Sequence, residues 1–363
     1  MARPTMTRKP DVSAWMKKAD GLLDEMPPQL KDVAAVEQVL KRLTREGATS
    51  GDTLAAAVQG VPPWAAINGS PWPKWLAPVL LMAALVGCSE PGRPAPSDAP
   101  LGALNFTLES RPVAAQVELL DSLGYAGVTL FWPGREAFDT YAAQPAVVAG
   151  RVRLPAVLFV LPFDTAWDRE ALDGMLAALA PQRTALWLIL SGPPDAKATM
   201  VASVRDVVDL ATARGVDVVL YPHDGEAIEN VEESLALLAA VDRPRLKTSL
   251  HLCHELRAGN RDRLEEVIAT AATQLALVSI HGAAREFDPH APGWSDVIQP
   301  LDRGDLDVGT RYLLPLRRAG YEGPVLLHTF GIEEPPEEHF RRSMLKWREL
   351  SRSVEDSLLE ARP

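Results

Sequence analysis

From Leu101 onward, short apolar runs alternate with longer segments in which apolar residues recur every three or four positions. The apolar runs occupy residues 102–108, 127–132, 155–163, 184–190, 216–222, 246–252, 275–281 and 323–330. Each has the length and the branched or aromatic content of a β-strand. Their near-continuous apolarity, in place of strict alternation, predicts strands buried on both faces, as in a parallel sheet. The intervening residues 112–123, 197–214, 226–240 and 261–273 carry the period of amphipathic helices. Eight strand–helix repeats over about 250 residues predict an α/β fold closed as a single (β/α)8 barrel over residues 101–352. An open, doubly wound sheet is the competing arrangement, but the Gly-rich first turn of that fold is absent after the first strand, where the chain reads Asn105-Phe106-Thr107-Leu108-Glu109-Ser110.

The preceding residues follow a different pattern. Residues 1–70 contain two amphipathic stretches, 12–26 and 29–46, on either side of Pro27-Pro28, and predict a small helical or disordered segment. Lys74 then precedes an uncharged apolar run from Trp75 to Gly87. At about 13 residues it is shorter than the ~18–20 needed to span a bilayer and has the length of a secretory signal core. The run ends Leu85-Val86-Gly87-Cys88, which resembles a bacterial lipobox, and residues 89–100 form a Pro- and Ser-rich stretch suited to a tether. These features predict lipidation of Cys88 and an anchored protein of the cell envelope. The competing reading is a buried apolar helix with Cys88 as a small core residue in a cytoplasmic protein.

Composition narrows the classes of partner. The chain has 363 residues, 47% hydrophobic and 23% charged, and a net charge of -11. That charge and the lack of a Lys/Arg cluster exclude a nucleic-acid surface, and leave a lipid anchor as the only route to a membrane. Cys88 and Cys253 are the only cysteines, so neither a disulfide framework nor a Cys-x-x-Cys metal knuckle is expected.

Candidate chemistry collects at the predicted strand ends, where a barrel of this type places its reactive groups. Strand five ends in Tyr221, His223 and Asp224, strand six in His251 and His254, strand seven in His281 and strand eight in His328. Five of the seven histidines thus fall at four consecutive strand ends. Neutral imidazole ligates transition metals and also bonds hydroxyl groups, so the set predicts a polar ligand site, with or without a metal. Glu109 after strand one and Asp164 after strand three, like Asp224, are placed either to accept sugar hydroxyls, to act as a base, or to cap the next helix, the role expected of Asp195.

The segments "LLDSLGYAGVTLF", "YPHDG", "HLCHELRAG" and "IQPLDRGDLDVGTRYLLPLRRAGYEGPVLLH" resemble, in order, those of the xylose isomerase-like TIM barrel family of sugar and sugar-phosphate isomerases and epimerases. The resemblance spans about residues 101–347. It implies a divalent metal held by two Glu, one Asp and one His at strands five to eight, with carboxylates moving a proton beside the substrate carbonyl. In this chain the strand-five Glu falls on Tyr221, the Asp of strand six on His251 with His254 matching its His partner, and the strand-eight Glu on His328; the strand-seven His aligns with Ser279 or His281. The implied site is therefore rich in imidazole and poor in carboxylate, a donor set suited to Zn, with Mn or no metal as the alternatives.

The resulting expectation is a sugar or sugar-phosphate isomerase or epimerase. Its metal set would be His251, His254, His281 and His328. His254, His281 and Asp224 would move protons, and Glu109, Asp164, Tyr221 and His223 would bind substrate. The alternative is a non-catalytic carbohydrate-binding barrel that has lost the family's metal-binding carboxylates.

Overall fold

The computed structural model describes residues 99–361. The expected N-terminal helical pair, the signal-like run, Cys88 and the tether up to Asp98 lie outside the described residues. Strands β1 (Leu101–Leu104), β2 (Gly127–Phe131), β3 (Ala156–Pro162), β4 (Ala185–Ser191), β5 (Val218–Leu220), β6 (Leu246–His251), β7 (Leu275–Ile280) and β8 (Val325–Leu327) pair in chain order, all parallel. β1 bonds to both β2 and β8, with Gly102 opposite Gly127 and Leu101 opposite Val325, so the sheet closes as a barrel and the open-sheet alternative is excluded.

The connecting helices include α1 (Val113–Leu123), α2 (Arg135–Ala142), α3 (Pro145–Val148), α4 (Arg169–Leu179), α5 (Lys197–Ala213), α6 (Val231–Val241), α7 (Leu252–Arg257), α8 (Leu264–Ala271), α9 (Leu314–Arg318) and α10 (Pro336–Glu360). Local chemistry sets several boundaries. Gly124 closes α1 in the left-handed conformation, at φ 85°, a value that glycine adopts at little cost. The Asp168 side chain accepts from Ala171 N–H and caps α4.

Several sequence-based boundaries and one expected cap change. The first apolar run leaves the sheet at Leu104, because Asn105 turns the chain into a 3-10 turn at Phe106–Leu108. The expected helix from Glu226 begins only at Val231, where Asn230 caps Glu233 N–H. Asp195 does not cap α5 through its side chain: the helix starts behind Ala196, and Asp195 gives only its backbone carbonyl, to Lys197 N–H.

Strand side chains alternate between two compartments, the two-residue period of a pleated strand. Leu186, Leu188 and Leu190 of β4 face the helices, in the same core as Val157, Val218, Leu220, Leu250, Val278 and Leu327. Trp187 and Ile189 face the barrel axis with Leu104, Ala156, Leu158, Val219, Tyr221, Leu277 and Leu326. Burying each large apolar side chain contributes about 1.5–3 kcal/mol, so the filled interior and the outer shell hold the strand ends rigidly. The same parity turns Tyr221, His251, His281 and His328 inward.

Candidate functional site

A cavity of about 260 Å³ opens at the C-terminal ends of the strands. Phe106, Phe131, Leu158 and Ile189, contributed by β1 to β4 and their following turns, form an apolar wall. Tyr221, His223, His254 and His328, contributed after β5, β6 and β8, form a polar one. Glu109 stands at the rim, and Trp294, Ile298 and Phe330 close the remaining side.

Trp294 comes from the long connection after β7 and is held by Arg257. The guanidinium lies 4.6 Å from the indole centroid and donates to the carbonyls of Pro289 at 2.6 Å and Ala291 at 2.7 Å, and to that of Gly293. The base of this connection is packed backbone on backbone. A Cβ on Gly282 would strike the carbonyl oxygens of Pro300 and Arg303, so only glycine fits there.

Under the cavity, Tyr221 stacks on His251 with centroids 3.7 Å apart, and both rings stack on Trp187 at 4.7 and 5.0 Å. His251 is fully partnered, with Nε2 2.8 Å from Ser249 Oγ and Nδ1 2.9 Å from Ser279 Oγ. Ser249 also receives Trp187 Nε1–H and donates to Leu220 O, so it can only accept from His251. His251 Nε2 therefore carries the proton, and Nδ1 accepts from Ser279. Burial pushes its pKa well below the ordinary histidine value, which keeps the ring neutral.

The other rings have one committed nitrogen each or only long contacts. His254 Nδ1 accepts from Asp224 N–H at 3.1 Å, which leaves the proton of the neutral ring on Nε2; that atom is buried and has no partner in the protein. His281 has the opposite tautomer. Its Nδ1–H donates to Gly282 O at 2.9 Å, leaving a buried Nε2 lone pair without a partner. His328 Nδ1 accepts from Phe330 N–H and Nε2–H donates to the Tyr221 hydroxyl, both at 3.4 Å. His223 Nδ1–H donates to Asp224 O at 2.8 Å. Burial lowers the pKa of His254 and His328 well below the usual range and that of His281 to about 4. Each unpartnered buried nitrogen costs about 1–3 kcal/mol, which marks these two as positions where stability is given up.

The structure thus brings His223, His254 and His328 to one cavity, with His281 next to His328 at a centroid distance of 5.9 Å and His251 beneath the floor. Of the acidic candidates, Glu109 alone lines the cavity, and its partial burial pushes the carboxyl pKa upward. Asp224 serves the site through its backbone, by its N–H to His254 and its carbonyl to His223. Asp164 is exposed and lies outside the lining.

Sequence reasoning did not find Phe106, Phe131, Phe330 or Trp294. The strand-end position that selected the histidines also selects Phe131, and both it and Phe330, just beyond β8, remain 40% and 45% exposed, unusual for large aromatics. Nothing local marks Trp294, which reaches the cavity only through the fold of a long loop.

A divalent metal does not fit this donor set. The positions of the implied carboxylates hold Tyr221, His251 and His328. Both nitrogens of His251 are committed to serines, and His254 offers the cavity an N–H in place of a lone pair. The four-histidine metal set expected from the sequence is accordingly not assembled: among the described residues, no group of three or more His, Cys, Asp or Glu is arranged to hold an ion.

Residues 176–350, from late α4 to α10, match the family model of the xylose isomerase-like TIM barrel. No curated protein sequence matches the chain. Solved structures that share the fold include the probable 3-DHS dehydratase AsbF of Bacillus anthracis, 14% identical over 68% of this chain and 97% of that one, with a TM-score of 0.57. The 3-keto-D-glucoside 4-epimerase YcjR of E. coli is 16% identical over 69% and 98%, with a TM-score of 0.54. The IolI protein, solved with a bound zinc atom, is 15% identical over 71% and 98%, also with a TM-score of 0.54. The eight strands closed in order give the chain a TIM-barrel fold, and residues 176–350 of it match the xylose isomerase-like family model.

Proposed function

We propose that this protein is a sugar isomerase- or epimerase-type enzyme that moves a proton on the carbon beside a carbonyl, with its active site in the cavity at the C-terminal end of the barrel. The observation that carries the reading is the buried, unpartnered Nε2–H of His254, a residue that lines the same cavity as Glu109. A proton transfer beside a carbonyl needs donors for the oxygen that gains charge and a base for the carbon acid. Tyr221 and His254 supply the donors, and Glu109 takes the proton from one carbon and returns it to the neighbouring carbon in an isomerisation; an epimerisation uses Glu109 as the base and a second group, water or a lining imidazole, as the acid on the opposite face. The apolar wall receives the C–H face of the sugar and excludes water, and His223 accepts from a hydroxyl. Solved relatives in fold that are described as epimerases support this chemistry by analogy.

The test is a screen of aldoses and ketoses, free and phosphorylated, for isomer formation by wild type and Glu109→Gln. Product from wild type, lost in the variant, is the expected result. The second reading, a non-catalytic sugar-binding barrel, is favoured by the single carboxylate among the lining residues. Sugar binding without product from any substrate selects it.

For the residues before the barrel we propose lipidation at Cys88, with residues 89–100 as a tether that holds the barrel at the cell envelope. The short apolar run ending Leu85-Val86-Gly87-Cys88 supports this reading. Membrane fractionation of wild type against Cys88→Ser tests it: release of the variant is expected, and a soluble wild type that retains residues 1–70 returns the protein to the cytoplasm.

A further inference from the structure

We infer that the cavity binds a carbonyl oxygen without a metal ion, through a fixed pair of donors, the Nε2–H of His254 and the O–H of Tyr221. The inference rests on the reading of this cavity as a sugar site only for the kind of oxygen it receives; the donor geometry stands apart from turnover.

Both groups line the cavity and are almost fully buried, His254 at 2% and Tyr221 at 2% exposure. Their rings meet edge to face with centroids 5.6 Å apart. The backbone decides the polarity of His254. Because Asp224 N–H is a donor only, Nδ1 must accept, and the ring proton must sit on Nε2, where the protein provides no acceptor. His328 makes the equivalent choice for Tyr221. With Nδ1 taking Phe330 N–H, Nε2–H points to the phenol oxygen, so the phenol proton is left for a ligand.

The rings are braced against turning. Tyr221 lies flat on His251, which is locked between two serines. His254 is packed between His223, at 4.3 Å, and Trp294, at 5.4 Å, and Arg257 pins Trp294 in turn. Two buried donors that need no reorganisation when charge develops on an oxygen are the arrangement that stabilises an oxyanion. They also repel a metal cation, which requires lone pairs where these groups present protons.

The ligand class follows from the same residues. Two neutral donors with no Lys or Arg among the lining residues suit an uncharged carbonyl or enolate oxygen and give no compensation for a phosphate at this position. Arg111, in the adjoining outer groove, is already paired with Glu337 at 2.7 Å.

The experiment uses the full-length protein labelled with 15N-histidine and dialysed against EDTA. Two-dimensional nitrogen–proton spectra, assigned with His254→Gln, are expected to show His254 protonated on Nε2 with a bare Nδ1. One equivalent of zinc chloride is expected to leave that spectrum and the melting temperature unchanged. Dihydroxyacetone, the smallest ketose, is expected to shift the Nε2–H resonance, and Tyr221→Phe to weaken its apparent Kd about tenfold, the loss of one hydrogen bond. A His254 proton on Nδ1, stoichiometric zinc that moves the His223, His254 and His328 resonances together, or no response to dihydroxyacetone would overturn the inference. Failure of the sugar screen alone leaves it standing, because none of these readouts requires turnover.

Discussion

The two halves of the barrel rim are built from different chemistry on the same scaffold. β1 to β4 deliver Phe106, Phe131, Leu158 and Ile189 to the cavity, whereas β5, β6 and β8 deliver Tyr221, His223, His254 and His328. The strand residues of both halves obey the same inward parity, and His254 alone among the named imidazoles enters from a helix, α7, so most of the difference lies in side-chain identity. The apolar half can only exclude water and offer a surface. The polar half directs hydrogen bonds, and it does so at a cost in stability, visible in the unpartnered nitrogens of His254 and His281. A ligand suited to both halves has one apolar face and one carbonyl or hydroxyl edge, which describes a small sugar.

The largest effect is expected where the halves meet. Glu109 is the only carboxylate lining the cavity, so Glu109→Gln is expected to lower turnover about 10²- to 10⁴-fold, the usual contribution of a general base, with little change in melting temperature. Steady-state rates on the substrate found by screening check this, and equal rates would remove Glu109 from the chemistry. On the polar half, His254→Gln is expected to lower kcat about 10²-fold while altering KM far less, because a preorganised donor acts mainly in the transition state. A rise in KM at constant kcat would demote His254 to substrate binding.

The polar half also predicts the pH response. The folded pKa values of His251, His254 and His328 are depressed and that of His281 falls to about 4, so the unfolded chain binds protons that the folded barrel refuses. Stability is therefore full above the unfolded histidine pKa, near 6.5, and is lost as pH falls toward the folded values. Glu255 opposes this. Burial raises its pKa to about 7 in spite of the hydrogen bonds from Val231 N–H and Asn260, which lower it, so its contribution declines as pH rises from about 4.5 to about 7. His339, which burial also pushes down to about 4, joins the histidine side and the raised Glu109 the other; five histidines against two glutamates give a net gain in melting temperature between pH 5 and pH 7, which a thermal melt series checks, and His281→Asn should flatten the slope and Glu255→Gln steepen it. The smallest effect belongs to the apolar half. Phe131→Ala or Phe330→Ala is expected to weaken sugar binding by about 0.5–1.5 kcal/mol, at most about tenfold, measured by titration calorimetry.

The barrel was legible because both of its signals are local: strand-length apolar runs, and helices with a three-to-four-residue period. The histidine rim was legible for the same reason, since a strand end can be counted from its run. What each ring does was not. His251 reads as a ligand in sequence and is a serine-locked floor in the structure, because Ser249, two residues back on its own strand, and Ser279, opposite it on β7, take both ring nitrogens, and only the pairing of β6 with β7 supplies the second. The tautomer of His254 depends on a backbone amide thirty positions away, that of Asp224. Trp294 and its Arg257 support are joined by a loop whose path no short pattern encodes. The sequence marks Asp224 for its carboxylate, and the structure uses its peptide groups.

The central claim is that this cavity moves a proton beside a carbonyl using its own donors and Glu109. It is tested most directly by incubating EDTA-dialysed protein with aldoses and ketoses in D2O and following deuterium entry at the carbon beside the carbonyl by NMR. Exchange into at least one sugar by wild type, without added metal and about 10²-fold or more slower in Glu109→Gln, is the predicted result. Exchange that appears only after a divalent ion is restored, or sugar binding with no exchange into any substrate, contradicts it.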